Sequence, residues 1–167
     1  MEVRSRPYAA FVQEIEFIGV RMEMPSNTPI ALLREVGGLR VIPIWIGAVE
    51  ATAIAYATQG VVPPRPMTHD LIGNIFVAFE VKLIEVRISD LVDGIFHALL
   101  IFDSGVQVSA RPSDAIAIAL RLGVPMTATT QVLEEAGIEM QDDEVQEEDQ
   151  LEQFRAFLDQ ISPEDFQ

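Results

Sequence analysis

Side chains that could do chemistry are concentrated in four short segments of this sequence: GLRVIPIWIGAVEA, PPRPMTHD, DGIFHA and ARPSDAIAIAL. Two carboxylates, Glu50 and Asp114, stand at matching positions, each beside an alanine-rich apolar stretch. Carboxylate oxygens are ligands that Mg²⁺ and Mn²⁺ prefer, and such an ion can activate water and stabilise a phosphoryl transition state. The sequence therefore allows a metal site in which Glu50 and Asp114 approach each other and Asp70 or His69 completes the shell.

The same carboxylates also have a simpler structural interpretation. Glu50 and Asp114 each lie in the first turn of a predicted helix, where a negative charge stabilises the helix dipole. Each could also pair with a nearby arginine, such as Arg40 or Arg111. The sequence contains no Walker A loop and no GxGxxG, GxSxG or HExxH motif. Spacing alone therefore leaves the catalytic and the structural interpretation open.

The segment PPRPMTHD, residues 63–70, leads into a predicted helix. Thr68 is predicted to cap the first amides of this helix, and Asp70 lies in its first turn. His69 could act as a general base or be a hydrogen-bonded structural residue. Arg65 stands between prolines, which suits presentation of its guanidinium to an anion or to a carboxylate of another subunit. Because starting the helix requires neither Arg65 nor His69, we expect a site here.

The predicted elements occur in the same order twice. Strands near residues 11–24, 29–35 and 39–45 precede a helix that ends at Gly60 and a second helix that begins at Thr68. Strands in 81–91, 94–102 and 105–112 precede a helix over 113–123, capped by Ser113 and ended by Gly123, and another within 129–138. Glu50 aligns with Asp114 in the two halves. These patterns predict one α+β domain in which two β3α2 units share a core.

Charge divides the chain into two parts. Residues 1–133 carry 13 acidic and 10 basic side chains, whereas residues 134–167 carry 13 acidic side chains and only Arg155. We predict a domain over 1–138, followed over 139–167 by an acidic linker and a short amphipathic helix. The helix would bury one apolar face against its own domain or another subunit, a face formed by Leu151, Phe154, Leu158 and Ile161.

Composition narrows the class of protein further. The chain has no cysteine, which excludes disulfides, thiolate metal sites and a cysteine nucleophile. It also lacks a long apolar run, so we expect a cytoplasmic protein without a membrane span. The single tryptophan, Trp45, and the methionines are predicted to be core residues. A sequence pI near 4.3 argues against tight non-specific binding to nucleic acid, because phosphate neutralisation requires positive charge.

Three segments of the sequence resemble the bifunctional nuclease family, which is credited with DNase and RNase activity. They are LLREVGGLRVIPIWIGAVEATAIAYATQGVVPPRPMTHDLI, DGIFHALLIF and VSARPSDAIAIALRLGVPM. The resemblance implies an α+β fold with a duplicated unit, a barrel-like mixed sheet, and a homodimer or larger assembly. It also implies metal-assisted cleavage of phosphodiester bonds in DNA and RNA, with Mg²⁺ or Mn²⁺ and little sequence preference.

Positions within the matching motifs give the expected site. Glu50, Asp70 and Asp114 are predicted to be catalytic or metal-binding carboxylates, and His69 the catalytic base. The substrate would be bound by Arg40, Arg65, Arg111 and Ser113. The acidic tail would repel nucleic acid or imitate it. The competing hypothesis is a non-enzymatic oligomeric module, for binding or regulation, in which the motif residues hold the fold and the interface.

Overall fold

The computed structural model describes residues 11–140. The predicted C-terminal helix and most of the acidic linker lie outside the described residues. The elements are β1 (Val12–Glu23), β2 (Thr28–Glu35), β3 (Arg40–Trp45), α1 (Ala48–Thr58), α2 (Thr68–Ala78), β4 (Leu83–Val92), β5 (Ile95–Phe102), β6 (Gln107–Ala110), α3 (Pro112–Leu122), β7 (Met126–Thr129), α4 (Thr130–Ala136) and β8 (Ile138–Glu139). This mixture of strands and helices confirms the predicted α+β class.

The strands form one mixed sheet in the order β6-β5-β4-β7-β1-β2-β3-β8. Neighbouring strands are antiparallel except for β4 and β7, which are parallel. Strand β7 lies between β4 and β1 and so joins the two halves of the chain. The described part of the sheet is not closed, since β6 and β8 are its edges, and the barrel-like sheet is not confirmed. The duplicated β3α2 unit stays a prediction.

The core lies between the sheet and the helices. Alternate residues of β3, Ile42 and Ile44, are buried and belong to this core. Helix α3 is buried over Ala115–Ala119, as expected for a helix that is apolar on nearly every side. Complete burial of one isoleucine, such as Ile116, contributes about 1.5–3 kcal/mol. The alanines let α3 approach α1 closely, and this packing sets the positions of the two helix N-termini.

The sequence predicted the C-terminal ends of the helices more accurately than their N-terminal caps. Gly60 and Gly123 adopt the left-handed conformation, with φ of 65° and 67°, which confirms both predicted helix ends. Thr68 and Ser113 were expected to be caps, but both predictions are wrong. Helix α3 begins at Pro112, because proline lacks the N–H that the first turn leaves unpaired, so Arg111 precedes the helix and Ser113 is its second residue.

The cap of helix α2 also differs from the residue predicted from the sequence. The cap position is Met67, and Thr68 is the first helical residue. The backbone N–H of Met67 donates to Oδ2 of Asp70 at 2.9 Å. The carboxylate therefore takes the capping role that the threonine hydroxyl was expected to fill.

No helix within residues 11–140 is long and apolar enough to cross a membrane.

Candidate functional site

The three carboxylates singled out in the sequence occupy the same place in three helices. Glu50 is the third residue of α1, Asp70 of α2 and Asp114 of α3. At this position a carboxylate lies beside the unpaired amides of the first helical turn, and its charge opposes the helix dipole favourably. Local structure alone therefore accounts for an acidic residue at each site, whereas their partners depend on how the helices pack.

Arg111 brings two of these carboxylates together. Its Nε donates to Oδ2 of Asp114 at 2.7 Å, and its Nη2 donates to Oδ1 of the same carboxylate at 3.0 Å. Its Nη1 donates to Oε1 of Glu50 at 3.0 Å. Because α1 packs against α3, residues 61 positions apart meet at one guanidinium. Glu50 and Asp114 thus converge, with an arginine between them.

Arg111 keeps capacity for a further ligand. A guanidinium has five N–H donors, and the described residues occupy three of those of Arg111. Its side chain is 64% exposed in spite of these bonds. The hydrogen bonds that Arg111 donates to Asp114 and Glu50 raise the pKa of Arg111 further above its usual value, so the group is always charged. Two N–H groups and a permanent charge suit the recognition of a phosphate oxygen.

His69 contacts the Asp114 carboxylate at Oδ1, the oxygen that also accepts from Nη2 of Arg111. Its Nε2 lies 3.3 Å from Oδ1 of Asp114. Burial raises the pKa of Asp114, but the hydrogen bonds and charges of Arg111 and His69 outweigh burial, so the pKa lies below its ordinary value. An ionised carboxylate can only accept hydrogen bonds, so Nε2 of His69 is the donor in this contact, and in the neutral form of the ring Nδ1 keeps a lone pair. This arrangement suits a general base oriented by a carboxylate.

Two clefts meet at Arg111. The first, here called the β3–α3 cleft, has a volume of about 900 Å³ and contains Trp45, Glu50, Phe96 and Ser113 in its lining. The second, here called the α2–β6 cleft, has a volume of about 610 Å³. His69 and Asp114 line the second cleft, Glu50 lines the first, and Arg111 lines both. The charged cluster therefore forms a wall shared by two largely apolar clefts.

The predicted metal ligands do not fit one ion as they are arranged. Within residues 11–140, no group of three or more His, Cys, Asp or Glu side chains is placed to hold a metal. The carboxylates of Glu50 and Asp114 face the positive charge of Arg111, which would oppose a cation there. Asp70 is held by a different arginine. A metal role for these three residues stays a prediction.

Asp70 and Arg121 form a separate interaction at the junction of α2 and α3. Oδ1 of Asp70 lies 2.8 Å from Nε of Arg121, and the side chains are only 18% and 15% exposed. Nη1 of Arg121 donates to the carbonyl oxygen of Val61 at 2.7 Å. Arg121 thus ties the end of α3 to the start of α2 and to the connecting loop. This contact favours a structural role for Asp70, and its predicted catalytic role stays untested.

The other predicted substrate ligands are dispersed. Arg40 makes a bidentate pair with Glu35 across the β2–β3 turn, with both N–O distances 2.8 Å. This bond lowers the pKa of Glu35 and raises that of Arg40. Arg65 is exposed, and its side chain makes no hydrogen bond or ion pair within the part of the chain described. Ser113 is buried in the β3–α3 cleft lining. Of the four predicted substrate ligands, Arg111 is the one whose side chain bonds to the carboxylates of Glu50 and Asp114 within the described residues.

Further residues were misjudged or missed from the sequence. Trp45 and Met24 were expected in the core, but they are 53% and 72% exposed, and the indole N–H of Trp45 donates to Glu23 at 3.1 Å. The correction follows from the alternation of β3, which directs Ile44 inward and Trp45 outward. Arg121 was not singled out at all. The available signal was a single basic side chain in the last turn of the helix, directly after the apolar run of residues 115–120.

Comparison with known proteins gives the class to which this architecture belongs. The bifunctional nuclease domain matches residues 31–141, about two thirds of the chain. The chain belongs to the bifunctional nuclease family. Two uncharacterized proteins of Mycobacterium tuberculosis, from strains CDC 1551/Oshkosh and ATCC 25618/H37Rv, are each 52% identical to it over 159 residues. Each match covers 92% of this chain and 97% of the relative.

Proposed function

We propose that this protein hydrolyses phosphodiester bonds of DNA and RNA, with the His69–Asp114–Arg111 cluster as its catalytic centre. The observation that carries the proposal is the position of Arg111, which is fixed by two carboxylates and yet retains two N–H donors in a cleft wall. Membership of the bifunctional nuclease family supports a nuclease-type activity. Phosphodiester hydrolysis is the reaction class that accounts for both the remaining donors of Arg111 and the family membership.

The chemistry follows from the donor and acceptor roles of the cluster. Nδ1 of His69 accepts a proton from the attacking water, while Asp114 holds Nε2 and stabilises the imidazolium that forms. The water oxygen bonds to phosphorus, the phosphorus–oxygen ester bond breaks, and the leaving oxygen takes a proton from solvent. Arg111 binds the non-bridging phosphate oxygens, whose charge increases in the transition state. Glu50 keeps the guanidinium in place from the other side.

The negative charge of the protein explains why nucleic acid would bind weakly, or only when its binding is regulated. The sequence has only 11 basic against 26 acidic side chains, so affinity cannot come from general attraction to phosphate. Binding would depend on the two clefts and on the planar guanidinium of Arg111. We expect affinity in the micromolar range or weaker, with a shallow salt dependence, because few phosphates are neutralised.

A divalent ion, Mg²⁺ or Mn²⁺, is a separate part of the proposal. In the described arrangement Arg111 holds the charges of Glu50 and Asp114, so an ion would have to displace the guanidinium from at least one of them. Activity measured with each ion and with chelator decides whether this exchange takes place. The steps assigned to His69, Asp114 and Arg111 do not require the guanidinium of Arg111 to leave either carboxylate.

Cleavage of single-stranded DNA and RNA by purified protein tests the proposal. We would compare wild type with Glu50→Gln/Asp114→Asn, each with Mg²⁺, with Mn²⁺ and with chelator. The matched control is Glu14→Gln/Asp103→Asn, which removes two exposed carboxylates outside the cluster. We expect the control to retain wild-type cleavage and the cluster variant to lose it. Equal cleavage by all three preparations would show that the activity belongs to another site or to a contaminant.

A non-enzymatic binding or regulatory module is the second candidate. It is favoured by the complete pairing of Glu50, Asp70 and Asp114 with arginines, since such pairs can hold helices together without any reaction. In that case the cluster variant would be destabilised, and no variant would affect cleavage. The predicted homodimer belongs to both hypotheses, and sedimentation equilibrium of the full chain measures it.

A further inference from the structure

The α2–β6 cleft has a chemical character that the hydrolytic cluster does not need. Much of its lining is apolar and is formed by residues of α2, β5 and α3, including Ile72, Phe76, Phe102 and Ile118. Phe76 and Phe102 pack edge to face with ring centres 5.0 Å apart and hold this wall in place. Hydrolysis at His69 requires only a phosphate and a water. The apolar lining therefore favours a ligand that has an apolar part.

Five polar residues belong to the lining of the cleft: Arg111, Asp114, His69 and the hydroxyl residues Thr68 and Ser109. Arg111, Thr68 and Ser109 are exposed, whereas the apolar lining residues Phe102 and Ile118 are buried. Binding sites of about 300–1,000 Å³ with a few placed polar groups are typical of small organic ligands. The cleft, at about 610 Å³, lies in this range. A ligand that fits has an anionic end at Arg111 and a flat or compact apolar part inside.

We infer that the α2–β6 cleft binds the base of a nucleotide whose phosphate is held by Arg111. This inference rests on the proposed function, because the phosphate placed at Arg111 is that of the proposed substrate. Among the groups adjoining a phosphate in nucleic acid, only the base has an extended apolar face. Among the described residues, the cleft lining contains no amide side chain, and its carboxylate faces Arg111. The hydroxyls of Thr68 and Ser109 can each donate or accept a hydrogen bond, so they do not favour one base edge over another.

Two properties of the substrate follow. A base inside the cleft cannot be stacked in a duplex, so single strands and unpaired nucleotides are the substrates that fit. All bases have an apolar π face, so purine and pyrimidine nucleotides bind with similar affinity. The low sequence preference expected of the family would then result from recognition of base faces in an apolar cleft.

Binding of mononucleotides to the full chain tests the inference without any cleavage. Isothermal titration would compare AMP, UMP, ribose 5-phosphate, hexyl phosphate and inorganic phosphate. We expect AMP and UMP to bind within fivefold of each other and at least tenfold more tightly than ribose 5-phosphate or hexyl phosphate. Equal affinity for ribose 5-phosphate, equal affinity for hexyl phosphate, or no detectable nucleotide binding would each overturn the base site.

A variant that fills the cleft from its mouth provides the structural control. Ser109 lies on the exposed edge strand β6, where a tryptophan is compatible with strand structure. Ser109→Trp should weaken AMP and UMP binding at least tenfold and leave inorganic phosphate within twofold. Gln107→Trp, on the same strand but outside the cleft lining, should leave both unchanged. Unchanged nucleotide affinity in Ser109→Trp would overturn the assignment to this cleft.

The two proposals fail in different ways. If AMP and UMP bind as expected but oligonucleotides are not cleaved, the base site stands and the nuclease proposal fails. If single-stranded oligonucleotides are cleaved but nucleotides bind no better than ribose 5-phosphate, the nuclease proposal stands and the base site fails.

Discussion

Arg111 at the start of α3 donates a hydrogen bond of 3.0 Å to Glu50 in the first turn of α1, across a separation of 61 residues. The same guanidinium binds Asp114 in its own helix. One residue therefore joins two helix N-termini and faces both clefts. The side chain donates three hydrogen bonds to residues in 11–140, and two of its donors have no partner within that range. Its replacement should therefore affect catalysis and stability in separable ways.

Replacing Arg111 with lysine should abolish most activity while keeping the charge. Lysine has three donors on one nitrogen and cannot contact Asp114 and Glu50 with a planar fork. Loss of one such electrostatic donor typically lowers kcat about 10²–10³-fold. The measurement is kcat on a single-stranded oligonucleotide. Arg40→Lys is the matched control, because Arg40 forms a bidentate pair outside the clefts. Equal loss in both variants would contradict a special role for Arg111.

Replacing His69 with asparagine should lower kcat about 10²–10⁴-fold if His69 is the general base. The thermal midpoint should change little, because the 3.3 Å contact with Asp114 is a minor part of the packing. His97→Asn provides the comparison, since His97 is exposed on β5. The base assignment is contradicted if His69→Asn and His97→Asn cleave at the same rate.

The stability contributed by Asp114 should depend on pH. Its pKa in the folded protein lies below the ordinary carboxyl value, so the folded state binds fewer protons than the unfolded state in this range. The stabilisation is fully present above the unfolded-state pKa of about 3.9 and is lost as pH falls through the folded-state pKa. Urea unfolding should therefore show a larger penalty for Asp114→Asn at pH 7 than near pH 3. A penalty independent of pH would exclude a contribution from the ionised carboxylate.

Asp70→Asn should destabilise the fold more than it slows cleavage. Removing one partner of this largely buried ion pair leaves Arg121 with an uncompensated charge, which costs about 1–3 kcal/mol. The expected result is a lower free energy of unfolding in urea, with kcat per folded molecule within about threefold of wild type. If Asp70→Asn is stable but inactive, Asp70 has the catalytic or metal-binding role first predicted from the sequence.

Gly47→Ala should displace the Glu50 carboxylate without removing it. A Cβ at Gly47 would overlap Oε2 of Glu50, which must then move away from its position beside Arg111. We expect kcat to fall several-fold and the fold to persist, because a flexible side chain can move at small cost. The double variant Gly47→Ala/Glu50→Gln should be no slower than Glu50→Gln alone, since both changes affect one contact. Additive losses would show that Gly47 acts independently of Glu50.

The sequence determined the local features of this protein. Alternating apolar residues predicted the strands β1 to β6, and glycines after apolar helices predicted the ends of α1 and α3. These signals are local, since side-chain periodicity and left-handed glycines act within a few residues. The short strand β7 escaped detection because its four residues gain their partners from β1 and β4, which lie far away in the chain.

Tertiary structure decided which charged residues from different helices meet. Glu50, Asp70 and Asp114 are equivalent in their helices, and the pair of Asp114 with Arg111 is local, because the two residues lie three positions apart. The pairing of Glu50 with Arg111 and of Asp70 with Arg121 follows from no spacing in the sequence, because it depends on how α1 and α2 pack against α3. The residue types and their helix positions were thus fixed locally, whereas the cluster at Arg111 exists only because three helices converge on one sheet.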